Sequence, residues 1–327
     1  MRRVKLGLMG IAGKRVLVTG ANSFIACHLL PRLVEHGAKV VAVAPDLGWR
    51  PWVARLVEDE KVTFVEADVL TPDGVEQLAP YLAVTDCVVH LARVWAQGST
   101  SLELAVDEID RNLLGTIRFL SVASKFGLDI VYPSSVEVYG LPERLPLCED
   151  HPLRPVSPYA VAKQAVEEFL GVYASRCSTS VIILRYANVY GPGELEPRAI
   201  PNFIRAVLNG DSPIIDGEGL DVRDYVYIDD VIDATLLSLD KKQKGGKTYN
   251  VGTGKGYTTY DLACTIIRLI GTHLEPLCRP STRVPMKIIC NISKAKKELG
   301  YVPKYTLEQG LSEEIQWFQN NQNYWRA

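Results

Sequence analysis

"VLVTGANSFIA", Val16–Ala26, is the stretch whose reading decides the fold. The run "KRVLVTG" (14–20) is apolar, rich in β-branched residues and closed by a turn residue. "FIACHLLPRLVEHG" (24–37) follows, with apolar residues at helical spacing and a terminal glycine. A strand, a tight turn at Gly20 and a helix are therefore predicted in direct succession. Such a turn lets backbone amides and the positive end of the helix face a pyrophosphate. Ser23 and Ala26 stand where a loop of this kind ordinarily carries glycine. Ala26 adds one methyl group at a helix–strand contact. Ser23 adds a side chain where the backbone approaches phosphate, and it either crowds the ligand or donates its hydroxyl to it.

Outward from this unit, the strand signal repeats in "AKVVAVA" (38–44), "KVTFVEAD" (61–68), "TDCVVHLA" (85–92), "LDIVYPSS" (128–135) and "TSVIILRYANVYG" (179–191). Helical segments separate them, notably "LAVDEIDRNLLGTIRFLSVASKF" (104–126). Continuous apolar strands alternating with helices mean a parallel sheet covered on both faces. Helical patterns then dominate: "AIPNFIRAVLNG", "IDDVIDATLLSLD", "TTYDLACTIIRLIG" and "LEQGLSEEIQWF", with short strands and Gly/Pro-rich turns between them. The expected class is α/β, a Rossmann-type doubly wound parallel sheet with a smaller mixed α/β substrate domain. Residues 1–190 form the dinucleotide-binding part, about 224–251 return to it, and 191–327 otherwise make the substrate part.

Composition narrows the function classes. The chain has 327 residues, 47% of them hydrophobic, and a formal net charge of -2 without a basic block, so nothing draws it to nucleic acid or a membrane surface. Seven cysteines without a CxxC pair suit a reducing compartment. Five scattered histidines without HExxH give a metal site little support. The opening "MRRVKLGLMGIAG" is too short and too glycine-broken in its apolar part for a signal peptide, and no apolar run approaches the roughly 20 residues of a membrane span. A cytoplasmic protein is expected.

The chemistry is distributed along the chain. "YPSSVEVYG" puts Ser134 and Ser135 at the carboxyl end of a strand, where α/β sheets bind ligands. "SPYAVAK" puts Tyr159 four residues before Lys163 on one face of a helix. A nearby ammonium makes a phenol easier to ionise. Such a phenol can take a proton from a sugar hydroxyl while a nicotinamide accepts hydride, with Ser135 bonded to the same oxygen. Asp46, after the second strand, reads either as a ribose ligand favouring NAD over NADP or as the start of a turn. Asp68 reads either as a contact to an adenine edge or as a solvated strand-end carboxylate.

Taken together, "VLVTGANSFIA", "VVHLA", "NLLGT", "PSSVEVYG", "SPYAVAK", "LRYANVYGPG", "VRDYVYIDDV", "YNVGTG" and "ISKAKKELGYVPKYTLEQGL" resemble the extended short-chain dehydrogenase/reductases, in the branch of nucleotide-sugar epimerases, dehydratases and decarboxylases. The resemblance covers almost the whole chain. It implies a bound NAD, regenerated in each cycle. Gly20, Ser23, Phe24 and Ile25 would form its turn, Asp68 and Val69 its adenine side, and Leu91 and Ala92 a neighbouring strand end. Tyr159 and Lys163 would hold the nicotinamide ribose and the catalytic proton, and Asn188 and Arg223 the diphosphate of a nucleotide-sugar substrate. It also implies a homodimer formed through helices of the cofactor part.

Ser135, Val136 and Glu137 bear on the reaction. Similar dehydratases carry Thr-Asp-Glu or Thr-Ser-Glu there, with the glutamate as base at C5 and the middle residue helping the leaving hydroxyl. Glu137 fits the base, but Val136 cannot donate a proton. Epimerisation at C4 needs only Ser135, Tyr159 and room for the keto sugar to turn over, so a 4-epimerase acting on a UDP-hexose or UDP-hexuronic acid is the leading expectation. UDP-glucuronate decarboxylase and NDP-hexose 4,6-dehydratase follow. Arg185, Arg223 and Arg283 are candidate readers of a C6 carboxylate. Ser23, Arg93 and Val136 together also fit a different class, a non-catalytic nucleotide-sugar binding protein.

Overall fold

The first strand, β1 (Arg15–Thr19), alternates its side chains between two cores. Val16 and Val18 pack with Leu29, Leu30 and Leu33, whereas Leu17 packs with Phe119, Leu120 and Val166. A strand buried on both faces needs helices on both, and the topology supplies them. The computed structural model describes residues 8, 10–48, 51–94, 102–176, 179–241, 245–282 and 284–326. Within these, β2 (Lys39–Ala44), β3 (Val62–Glu66), β4 (Cys87–His90), β5 (Asp129–Ser135) and β6 (Ser180–Tyr186) join β1 in one sheet. Helices α1 (Phe24–Glu35), α2 (Pro51–Glu58), α3 (Pro72–Glu76), α4 (Ala79–Leu82), α5 (Leu102–Ile109), α6 (Thr116–Ser124) and α7 (Pro158–Arg176) connect these strands.

Downstream come β7 (Asn188–Tyr190), α8 (Ala199–Leu208), β8 (Ile214–Asp216), β9 (Val222–Arg223), β10 (Tyr225–Tyr227), α9 (Ile228–Asp240) and β11 (Gly245–Val251). After β12 (Tyr257–Thr258), α10 (Thr259–Ile270) and β13 (Leu277–Arg279), the chain ends in α11 (Ser293–Glu298) and α12 (Leu307–Asn320). The main sheet is seven-stranded and parallel, in the order β11-β6-β5-β4-β1-β2-β3. Strand order reverses between β1 and β4, and a crevice opens at the carboxyl ends of strands at such a point. The outermost strand, β11, arrives after the excursion through β7 to α9, and α9 packs against α1.

Two predicted elements differ in detail. "TSVIILRYANVYG" is not one strand: Ala187 still donates to Val251 O at 2.9 Å, but Asn188 donates to Asp224 O at 3.0 Å and begins β7, which pairs with β10. The chain thereby leaves the main sheet and delivers Asn188 to the crevice. The long helix predicted over 104–126 contains a π-helical turn, Asp110–Gly115, between α5 and α6. There Asn112 is fastened to Val94 through both backbone groups, at 2.8 and 2.7 Å, and Gly115 lies so close to Leu70 that a Cβ would stand 2.5 Å from its carbonyl oxygen.

Candidate functional site

The turn after β1 is built for close approach. Gly20 has φ +63°, and a Cβ there would lie 2.6 Å from Ala92 N and 2.8 Å from Leu91 C. Only glycine keeps the turn against the end of β4. Ser23 is the N-cap of α1, its Oγ accepting from Ala26 N at 3.3 Å. An accepting hydroxyl still has its own proton to donate, so the cap leaves Ser23 able to bond a phosphate oxygen. Phe24 is buried, Ile25 half-buried and Ala26 fully buried, so the methyl of Ala26 is absorbed by helix packing.

From this turn a narrow cavity of about 80 Å³ runs along the strand ends, lined by Ser23, Phe24, Ile25 and Leu91 at one end and by Ser135, Glu137, Tyr159 and Lys163 at the other. The Gly20 turn and the Ser23 hydroxyl at the N-terminus of α1 are groups that fit the diphosphate of a dinucleotide. Asp68 is fixed in place, accepting from Leu70 N at 3.0 Å and from Arg111 at 2.6 Å, and Val69 is buried beside it. Asp46 is exposed and accepts from Gly48 N at 2.7 Å and Asn22 Nδ2 at 3.2 Å, in a turn next to the glycine loop. Ala92 donates its N–H to Thr19 Oγ1 at 3.2 Å.

Tyr159 and Lys163 occupy the first turns of α7. Lys163 is buried, donates to Pro133 O at 2.7 Å, and stands 4.4 Å over the Tyr132 ring and 5.8 Å from the centre of the Tyr159 ring. Burial, with Arg93 repelling it, pulls the ammonium down to about 7. Tyr159 is pushed up to about 12 by burial, an effect that Arg93 opposes, Glu137 reinforces and Arg198 opposes. The sequence assigned the cation beside the phenol to Lys163. In the structure Arg93 and Arg198 exert that pull, while Lys163 is tied to the strand carbonyl of Pro133.

Ser135 closes β5 and caps the short turn Val136–Tyr139, accepting from Glu137 N at 3.2 Å. Its partner in sequence, Ser134, is buried and donates to Glu167. Glu137 lines the cavity with Tyr159, and Val136, buried in the core, borders an adjoining pocket with Ser135, Asn188 and Arg223. Asn188 and Arg223 also border a larger groove of about 420 Å³ beneath α8. Arg223 is held there by Asp221 Oδ1 at 3.1 Å and Met286 O at 2.7 Å.

Of the proposed carboxylate readers, Arg185 is removed from the site. It is buried, forks onto Glu167 at 2.7–3.2 Å, and donates to Tyr139 Oη at 2.9 Å and Glu149 O at 3.0 Å. Its strand position turns it into the body of the molecule, where all three guanidinium nitrogens have structural partners. Arg283 lies outside the described residues. Sequence reading missed the group that the structure does bring to Tyr159: Glu194, Glu196 and Arg198, with Arg93 in a cavity-lining role. Arg93 follows β4 after Leu91 and Ala92 and so obeys the strand-end rule, but "GELEPR" has no periodicity to mark it. Glu194 is buried and raised to about 7, first by that burial and then by Glu196. Among the described residues no cluster of metal-ligating side chains occurs, and no helix is long and apolar enough to cross a membrane.

Comparison with known proteins places this geometry. A family model described as the NAD dependent epimerase/dehydratase family matches residues 16–252. The UDP-glucose 4-epimerase of Mycolicibacterium smegmatis is 32% identical over 317 residues, covering 94% of this chain and 99% of that protein. Among solved structures, a dTDP-glucose 4,6-dehydratase from Bacillus anthracis in complex with NAD superposes with a TM-score of 0.85 at 26% identity, covering 96% and 99% of the two chains. A UDP-glucuronic acid 4-epimerase from Bacillus cereus in complex with UDP-glucuronic acid and NAD gives 0.83 at 28% identity, covering 94% and 99%.

Proposed function

The chain belongs to the NAD dependent epimerase/dehydratase family, and from that premise we propose that it is a nucleotide-sugar 4-epimerase, acting on a UDP-hexose or UDP-hexuronic acid through a transient 4-keto sugar. It is an NAD-dependent enzyme that modifies nucleotide sugars. Gly20, Ser23, Phe24, Ile25, Asp68, Val69, Leu91 and Ala92 hold the cofactor, with Asp46 at the ribose side. When bound, NAD supplies a reversible hydride acceptor.

Tyr159 takes the proton from the C4 hydroxyl, and Ser135 bonds the same oxygen as it becomes a carbonyl. Arg93 and Arg198 stabilise the phenolate that this requires, and Lys163 stands beside the ring, fixed by Pro133 O. Asn188 and Arg223 orient the diphosphate, leaving the sugar ring room to turn over between proton removal and return. Val136 carries the choice of reaction: it stands in the wall beside Ser135 and Glu137 and offers no proton to a leaving hydroxyl.

One observation favours a second reading. Glu194 lines the same cavity with its pKa near 7, so it can hold a proton at neutral pH and serve dehydration as the acid, with Glu137 as base. Incubation with UDP-glucose, UDP-N-acetylglucosamine and UDP-glucuronic acid, followed by separation and mass measurement, tests the proposal. Epimerisation gives a new peak of unchanged mass; loss of water or carbon dioxide overturns it. We also propose a homodimer. Its support is the apolar surface of α5 and α7, where Val106 is 68% and Val161 43% exposed.

A further inference from the structure

Glu196 is a carboxylate held on both oxygens by two arginines that line the catalytic cavity. Oε1 accepts from Arg93, and Oε2 accepts from Arg198 Nε and lies 3.0 Å from its terminal nitrogen. The two arginines come from different parts of the molecule, Arg93 from the end of β4 and Arg198 from the residue before α8. Glu194 fixes the intervening backbone by accepting from Glu196 N at 2.8 Å. Arg93 and Arg198 both line the cavity that contains Ser135, Glu137 and Tyr159.

Two guanidinium groups converging on a sugar site form a natural receptor for a uronic carboxylate. Here the chain fills that receptor with its own acid. A substrate carboxylate would have to displace Glu196 from its charge-assisted bonds to Arg93 and Arg198 and then stand beside Glu137. Among the described residues, Lys163 is held by Pro133 O and Arg223 by Asp221 and Met286 O. A neutral hexose meets no such conflict, because its hydroxyls can donate to the carboxylates and accept from the guanidiniums where these already lie. From this geometry we infer that Glu196 is a specificity-determining residue that excludes a sugar carboxylate, and that the substrate is a nucleotide-activated neutral sugar, a hexose or N-acetylhexosamine. The inference rests on the nucleotide-sugar reading above but not on which reaction follows.

Binding in the absence of turnover tests it. In the Tyr159→Phe protein with NAD present, calorimetric titration should show UDP-glucose binding at least about tenfold more tightly than UDP-glucuronic acid, as like-charge juxtaposition requires. Adding Glu196→Gln, which keeps the shape and removes the charge, should narrow that ratio by about tenfold. Equal or tighter binding of UDP-glucuronic acid to the protein with Glu196 intact overturns the inference, and so does an unchanged ratio in Glu196→Gln. The first comparison needs no change at residue 196, so it decides even if the variant fails to fold. Binding of neither sugar would overturn the UDP-sugar reading as well, whereas the product masses judge the reaction independently.

Discussion

Tyr159 is a buried phenol whose acidity is set by the charges around it. Its hydroxyl sits in a narrow cavity with a pKa near 12, and the cations opposing that shift, Arg93 and Arg198, are both bonded to Glu196. A bound substrate that recruits either guanidinium alters the phenol's acidity at the place where the proton must move. Tyr159→Phe removes this proton-transfer group and little else, so turnover should fall by about 10²–10⁴-fold while calorimetry finds substrate binding nearly intact. A near-normal rate would remove Tyr159 from the reaction. The residue-level signals in the sequence divide sharply. Tyr159 and Lys163 are legible because helical spacing alone puts them on one face. Glu196 and Arg93 are 103 positions apart and meet only after the sheet has closed.

At the scale of elements, one buried network aligns α7 with the strands beneath it. Glu167 on α7 accepts from Arg185 on β6 and Ser134 on β5, and Arg185 also binds Tyr139 just beyond β5. This cross-bracing sets Tyr159 against Ser135. Arg185→Met keeps bulk but strands the Glu167 carboxylate in the interior, and denaturant unfolding should register a loss of about 3–5 kcal/mol. A loss below about 1 kcal/mol would mean that the network is dispensable. The elements themselves were largely legible, since uninterrupted β-branched runs between helical periods describe a doubly covered parallel sheet. The break at Ala187 was not, because "LRYANVYG" reads as one apolar strand and only the competing partners Val251 and Asp224 divide it. Arg185 is misleading for a related reason: a cation in a strand resembles a ligand until its burial and its partner Glu167 are known.

For the whole molecule, the exposed apolar surface of α5 and α7 is where a second copy would pack. Light scattering should report twice the chain mass for the unaltered protein. Val106→Asp, which changes only an outward-facing residue of the single chain, should shift it to one chain mass without lowering the yield of folded protein. A dimer that persists unchanged would place the interface elsewhere. The order of the main sheet carries a different consequence, for synthesis. β6 is buried along its whole length, yet the strand that covers its outer edge, Gly245–Val251, lies more than fifty residues further along the chain. As the polypeptide leaves the ribosome, the nascent sheet presents an apolar, unpaired margin until those later residues emerge. During that interval it is open to strand addition by a neighbouring chain and to capture by a chaperone.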